Sequence, residues 1–132
     1  MTRTNFLILL TLGLPFFAHA SSQTLNCRFQ ESSVGDRVLI TLLDTQNGNF
    51  LYETTDPAGT GTTAALKLKR MADPETGVAA FEVQSPAVEM IFKLETSKLF
   101  QTATGVNATL LSRIPGMDLS QEQALTCDSV VK

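Results

Sequence analysis

The chain is 132 residues long with a formal net charge of −3, and its only histidine, His19, falls within the first 20 residues. Those 20 read as a removable export signal. They leave a 112-residue product with no histidine or tryptophan, two cysteines, and nine basic against thirteen acidic side chains. That composition excludes histidine-based triads, histidine general acid–base chemistry and ordinary zinc sites, and it lacks the basic face that nucleic-acid binding requires.

The signal has three parts in order. Arg3 and the amino terminus supply positive charge, Phe6 to Phe17 form an apolar run, and Ala18-His19-Ala20 gives a small-x-small cleavage pattern. The run is interrupted by Thr11, Gly13 and Pro15. It is too short for a spanning helix, which needs roughly 20 apolar residues. No later segment is apolar for long enough either, so the mature chain is expected to have no transmembrane segment. A single β-rich domain over 21–132, located in the periplasm or outside the cell, is the expected product.

Export changes the reading of Cys27 and Cys127, which stand 100 positions apart. In an oxidising compartment such a pair forms a disulfide, and the spacing has none of the closeness of a redox-active C-x-x-C. Closing a loop of that length stabilises by about 4.7 kcal/mol on the chain-entropy model. It also requires the first strand to lie beside or across from the last.

From Leu25 onward, apolar residues recur with period two. Val38, Ile40 and Leu42 alternate with Leu39, Thr41 and Leu43, which predicts a strand apolar on both faces. Asn47-Gly48 is a turn signal before Phe50 to Thr54. A five-residue loop over Thr45 to Asn49 would set Leu42 near Tyr52 and Leu43 near Leu51. The segment Thr54 to Ala64 reads as a solvated connection, because Thr60-Gly61-Thr62-Thr63 lacks the lysine of a phosphate-binding loop.

A second hairpin is predicted from Ala64–Met71 and Val78–Gln84 around Asp73-Pro74-Glu75-Thr76-Gly77. Symmetric pairing would set Leu66 near Val83, Leu68 near Phe81, and Lys67 beside Glu82. A bulge at Gly77 would shift that register by one. Beyond Pro86, Val88, Met90, Phe92 and Leu94 point one way while Glu89, Lys93 and Glu95 point the other, the pattern of a half-buried strand. Thr96-Ser97-Lys98 turns the chain into Leu99 to Thr104, and Gly105 breaks the pattern before Asn107 to Ile114. Asp118 to Ala124 has the composition of one or two helical turns, with Ser120 as cap and Gln123 at the capping-box position. Leu125 to Val130 supplies the last strand.

The expected fold is therefore all-β: one antiparallel meander of about seven or eight strands, forming a closed or nearly closed barrel. A two-sheet sandwich is the alternative. In form, the export signal and the end-to-end cysteine pair resemble those of the periplasmic lysozyme inhibitors, which are small, disulfide-tied β-barrels. That resemblance covers only these features, since the Ser-Gly-containing inhibitory loop of that family aligns with no segment of this chain.

Little chemistry is readable beyond this. No nucleophile elbow is present. Asp44 to Asn49 departs from a calcium loop at Gln46, and Thr55 occupies its twelfth position. Glu53, Glu82, Glu89 and Glu95 alternate with apolar neighbours as on a solvated sheet face. Asn107-Ala108-Thr109 is a formal glycosylation sequon. No metal and no cofactor is expected. The leading expectation is a non-enzymatic exported domain that binds an unidentified protein through its surface, as an inhibitor, adaptor or envelope component. The second is a carrier for a small apolar ligand, in a cavity lined by Leu42, Tyr52, Met90 and Phe92. The third is a hydrolase working with carboxylates alone.

Overall fold

In the computed structural model, residues 21–31, 36–56, 59–62, 65–72, 75–116 and 120–132 are described; the segment 1–20, expected to be an export signal, lies outside them. Nine strands run in chain order: β1 (Gln23–Phe29), β2 (Arg37–Leu42), β3 (Asn47–Asp56), β4 (Gly59–Thr62), β5 (Leu66–Arg70), β6 (Val78–Val83), β7 (Glu89–Glu95), β8 (Ala103–Arg113) and β9 (Ser120–Val131). All pairings are antiparallel. The sheet order β2-β1-β9-β8-β7-β6-β5-β3-β4 closes through an additional β2–β3 pairing. Eight strands thus form a closed barrel, and β4 folds back on the far half of β3 as a projecting hairpin, with Glu53 opposite Thr62 and Asp56 opposite Gly59.

Strand alternation fills the interior. Leu25, Cys27 and Phe29 of β1 point inward, as do Val38, Ile40 and Leu42 of β2. Phe50, Phe81 and Phe92 are the largest side chains buried completely, and Leu68, Leu94, Leu110 and Leu125 pack among them. The barrel closes where β1 meets β9. There Cys27 stands opposite Cys127, the two are disulfide-bonded with Cα atoms 4.0 Å apart, and both are fully buried.

One end of the barrel is sealed. Gln23 is fully buried: its Nε2 donates to the carbonyl of Lys98 at 2.9 Å and to Ser129 Oγ at 2.8 Å, and its Oε1 accepts from the amide of Phe100 at 2.8 Å. Ser129 in turn donates to the carbonyl of Gln101 at 2.7 Å. This network satisfies the buried polar groups and holds the segment after the 3-10 turn Thr96–Lys98 across the opening, with Leu99 and Phe100 packed on the core. Phe100 sits there at φ +53°, a backbone region costly for a non-glycine residue. Arg70 extends over the Phe81 ring at 5.5 Å and donates to the Thr45 carbonyl.

Several expected details differ. The β2–β3 register places Val38 opposite Tyr52 and Leu42 opposite Gly48, so the turn lies over residues 43–46 and not around Asn47-Gly48. Asp44 causes this: its carboxylate accepts the amides of Gln46 at 2.7 Å and Asn47 at 2.8 Å, which closes the turn early. The same two hydrogen bonds hold the Asp44 carboxyl below the usual range. They also explain the oxygen-rich sequence without a cation. In the next hairpin Leu68 pairs with Val83 and Lys69 with Glu82, a shift of two from the symmetric register. The Val78 amide donates to Glu75, and Gly77 adopts φ +89°, so the turn forms on Thr76-Gly77; Asp73 and Pro74 lie outside the described residues. A shift of two preserves the inward and outward faces. Gly105, at φ +67°, marks a β-bulge inside β8, between the pairs Ala103–Ser129 and Val106–Cys127, and does not end the strand.

The proposed solvated connection over Thr54 to Ala64 contains strand β4. The helix expected over Asp118 to Ala124 is also absent from its described part: Ser120 to Ala124 belong to β9, paired with Arg113 to Thr109. Leaving that length of β8 unpaired would strand its backbone donors and acceptors, and this outweighs a local capping motif.

Gly48 has a packing role. A Cβ placed there would lie 2.5 Å from the Thr41 carbonyl oxygen and 3.0 Å from a Leu42 methyl. Gly48→Ala should lower stability by about 1–3 kcal/mol. The check is the urea midpoint, which should fall with little change in slope; an unchanged midpoint would contradict the close approach assigned to this position.

Candidate binding surface

At the opposite end of the barrel the described residues include a group of half-buried apolar side chains. Here β1, β3, β6 and β8 finish and β2, β5, β7 and β9 begin. The last inward positions of these strands form a rim in which Phe29, Tyr52, Leu66 and Met90 pack on the core, the last three only half-buried. Ser112 and Gln123, also half-buried, occupy the corresponding positions of β8 and β9. Phe29 and Tyr52 stand with ring centroids 5.7 Å apart at 43°, brought together by the β1–β2–β3 pairing. The Tyr52 hydroxyl donates to Asp36 Oδ2 at 3.2 Å. Burial, followed by the charge and hydrogen bond of Asp36, raises the Tyr52 pKa above its ordinary value.

Charged side chains surround this rim on the outer face. Arg37 pairs with Glu53 at 3.0 Å, and Arg113 with Glu89 at 2.6 Å. A recess of about 300 Å³ opens beside Phe29, flanked by Glu31, Gln121, Glu122 and Gln123. A larger groove of about 660 Å³ runs outside β6 and β7, where Met71, Pro86, Val88 and Ile91 meet Glu89 and Arg113.

The four residues proposed as a cavity lining separate into two groups. Leu42 and Phe92 are fully buried among other core side chains, and Leu42 lies toward the sealed end, opposite Gln23 and Gly48. Tyr52 and Met90 share the opposite end. The carboxylates considered for hydrolysis point outward. Glu53 and Glu89 are ion-paired, while Glu82 accepts a hydrogen bond from Gln84 and stands across from Lys69. Among the described residues, no three His, Cys, Asp or Glu side chains converge to hold a metal, and no helix is long and apolar enough to cross a membrane.

Phe29, Arg113 and Gln123 were not legible as surface-site residues. Each reads locally as an ordinary strand residue, and only barrel closure brings them to one rim. Comparison with known proteins finds no matching family model, curated protein or solved structure.

Tyr52 is the only tyrosine in the chain, so phenolate absorbance reports it alone. Its midpoint should lie above the ordinary value of about 10. Asp36→Asn should lower it only partway, since burial is the larger cause. Because the folded pKa is the higher one, the unfolded state ionises first. Stability should therefore be intact below about pH 10 and decline as pH rises through the folded midpoint. A midpoint at or below 10, or one insensitive to Asp36→Asn, would contradict this environment.

Proposed function

We propose that this is an exported, non-enzymatic β-domain that acts by surface contact with a protein, as an inhibitor, adaptor or envelope component. The observation supporting this reading is the filled barrel. Phe50, Phe81 and Phe92 occupy its interior with tightly packed aliphatic side chains, which leaves recognition to the outer surface. The buried disulfide suits an oxidising compartment, which is consistent with export to the periplasm or beyond.

The oxidised protein, immobilised and exposed to its native envelope or culture medium, should retain a protein partner in stoichiometric amount. It should also take up no palmitate in titration. One-to-one saturable uptake of palmitate, with shifts at Leu42 and Phe92 and no retained protein, would replace this reading with the carrier.

A further inference from the structure

We propose that the free edge of β4 is a strand-addition site, which takes up an extended, uncharged segment of a protein partner as a third strand of the projecting hairpin. This rests on the surface-contact reading and names the edge and the mode of contact. Among the described residues β4 alone is paired on one side only; every other strand has a neighbour on both.

The strand that would cover this edge stops short of it. β4 and β5 pair with the same side of β3, opposite β2, so the neighbour of β5 would have to continue past Val83 to reach β4. The Gln84 amide instead makes the last bond, to the Lys67 carbonyl at 2.8 Å. The Ser85 amide then folds back on the Val83 carbonyl at 2.8 Å, and Pro86 has no amide to donate.

The main chain of β4 is turned toward that unpaired side. The Gln46 carbonyl accepts from the Arg70 amide, and alternation along β3 from this bond directs Thr54 and Asp56 to Gly61 and Gly59. Thr60 and Thr62 therefore aim their amides and carbonyls away from β3. Nothing in β4 blocks pairing there. Edge strands are commonly protected by charged residues or proline, and Gly59-Thr60-Gly61-Thr62 has neither. Glycine at alternate positions weakens a strand that stands alone and suits one that another backbone approaches closely. The hairpin reaches about 10 Å past Glu53, the last residue of β3 paired with β2. Such a two-stranded ribbon is marginal in water by itself, and a third strand completes it.

The test is an NMR titration of the oxidised protein with a hexapeptide of alternating Thr and Val. The peptide is N-methylated at every second residue, so that it pairs through one edge and cannot stack on itself. It should bind saturably with a Kd of about 1 mM, the scale of a few main-chain hydrogen bonds. The largest amide shifts, and slowed hydrogen exchange, should fall at Thr60 and Thr62. The same peptide N-methylated at every residue should not bind, a control that leaves the protein unchanged. Thr60→Pro removes one outward donor and keeps the bonds to β3, so it should weaken binding about fivefold with the melting temperature unchanged. No saturation up to about 10 mM, equal binding of the fully methylated peptide, or an unaffected Thr60→Pro variant would overturn the proposal. Self-association of the protein that Thr60→Pro abolishes would overturn the partner assigned to the edge. Peptide shifts centred elsewhere would overturn the edge and leave surface contact intact. Palmitate uptake into the interior would remove both.

Discussion

The structure depends on the pairing of β1 with β9. Seven consecutive residue pairs, from Gln23–Val131 to Phe29–Leu125, join the first strand to the last and turn a curled meander into a closed ring. Without that seam both strands would expose an unpaired edge, and the inward row Leu25, Cys27 and Phe29 would lose one wall of its surroundings. The Cys27–Cys127 bond lies within the seam, in the core. It restrains the unfolded chain across 100 positions, and loop-closure entropy grows with loop length. Gln23 adds a second lock on the same strand by fastening the segment after Thr96–Lys98 over one end.

Closure also makes the two ends unlike. At the sealed end, buried hydrogen bonds and Arg70 over Phe81 cover the core. At the other, the half-exposed Tyr52, Leu66 and Met90 pack against the core near the strand ends. The Phe29–Tyr52 pair connects these properties: the buried Phe29 ring completes the core, and the half-buried Tyr52 ring packs against it. Asp36 anchors the Tyr52 hydroxyl and contributes to the charge of the rim.

Alternation made much of the fold legible. The faces of β2, β5 and β7 follow from Ile40, Leu68 and Phe92 recurring at period two, and a register error of two residues leaves those faces intact. The cysteine pair then specifies which strands must meet. Registers were harder to read because side chains outside the apparent turn motifs set them: Asp44 closes a turn ahead of Asn47-Gly48, and the second turn forms on Thr76-Gly77. Gln23 carried no local strand signal, since its partners lie at Lys98, Phe100 and Ser129. Ser120 to Ala124 reads as helix in isolation and becomes strand because β8 offers it a long unpaired edge. The rim that holds Tyr52, Met90 and Arg113 was illegible for the same reason. It is assembled from strand ends distant in sequence, and no local motif marks them.

The most direct test of disulfide-assisted closure is thermal unfolding of the protein with both Cys27 and Cys127 replaced by alanine, followed by far-ultraviolet circular dichroism. The account predicts a β-sheet spectrum retained at low temperature and a lower melting temperature, corresponding to a loss of about 2–5 kcal/mol. An unchanged melting temperature would contradict the role assigned to the bond that joins the first and last strands.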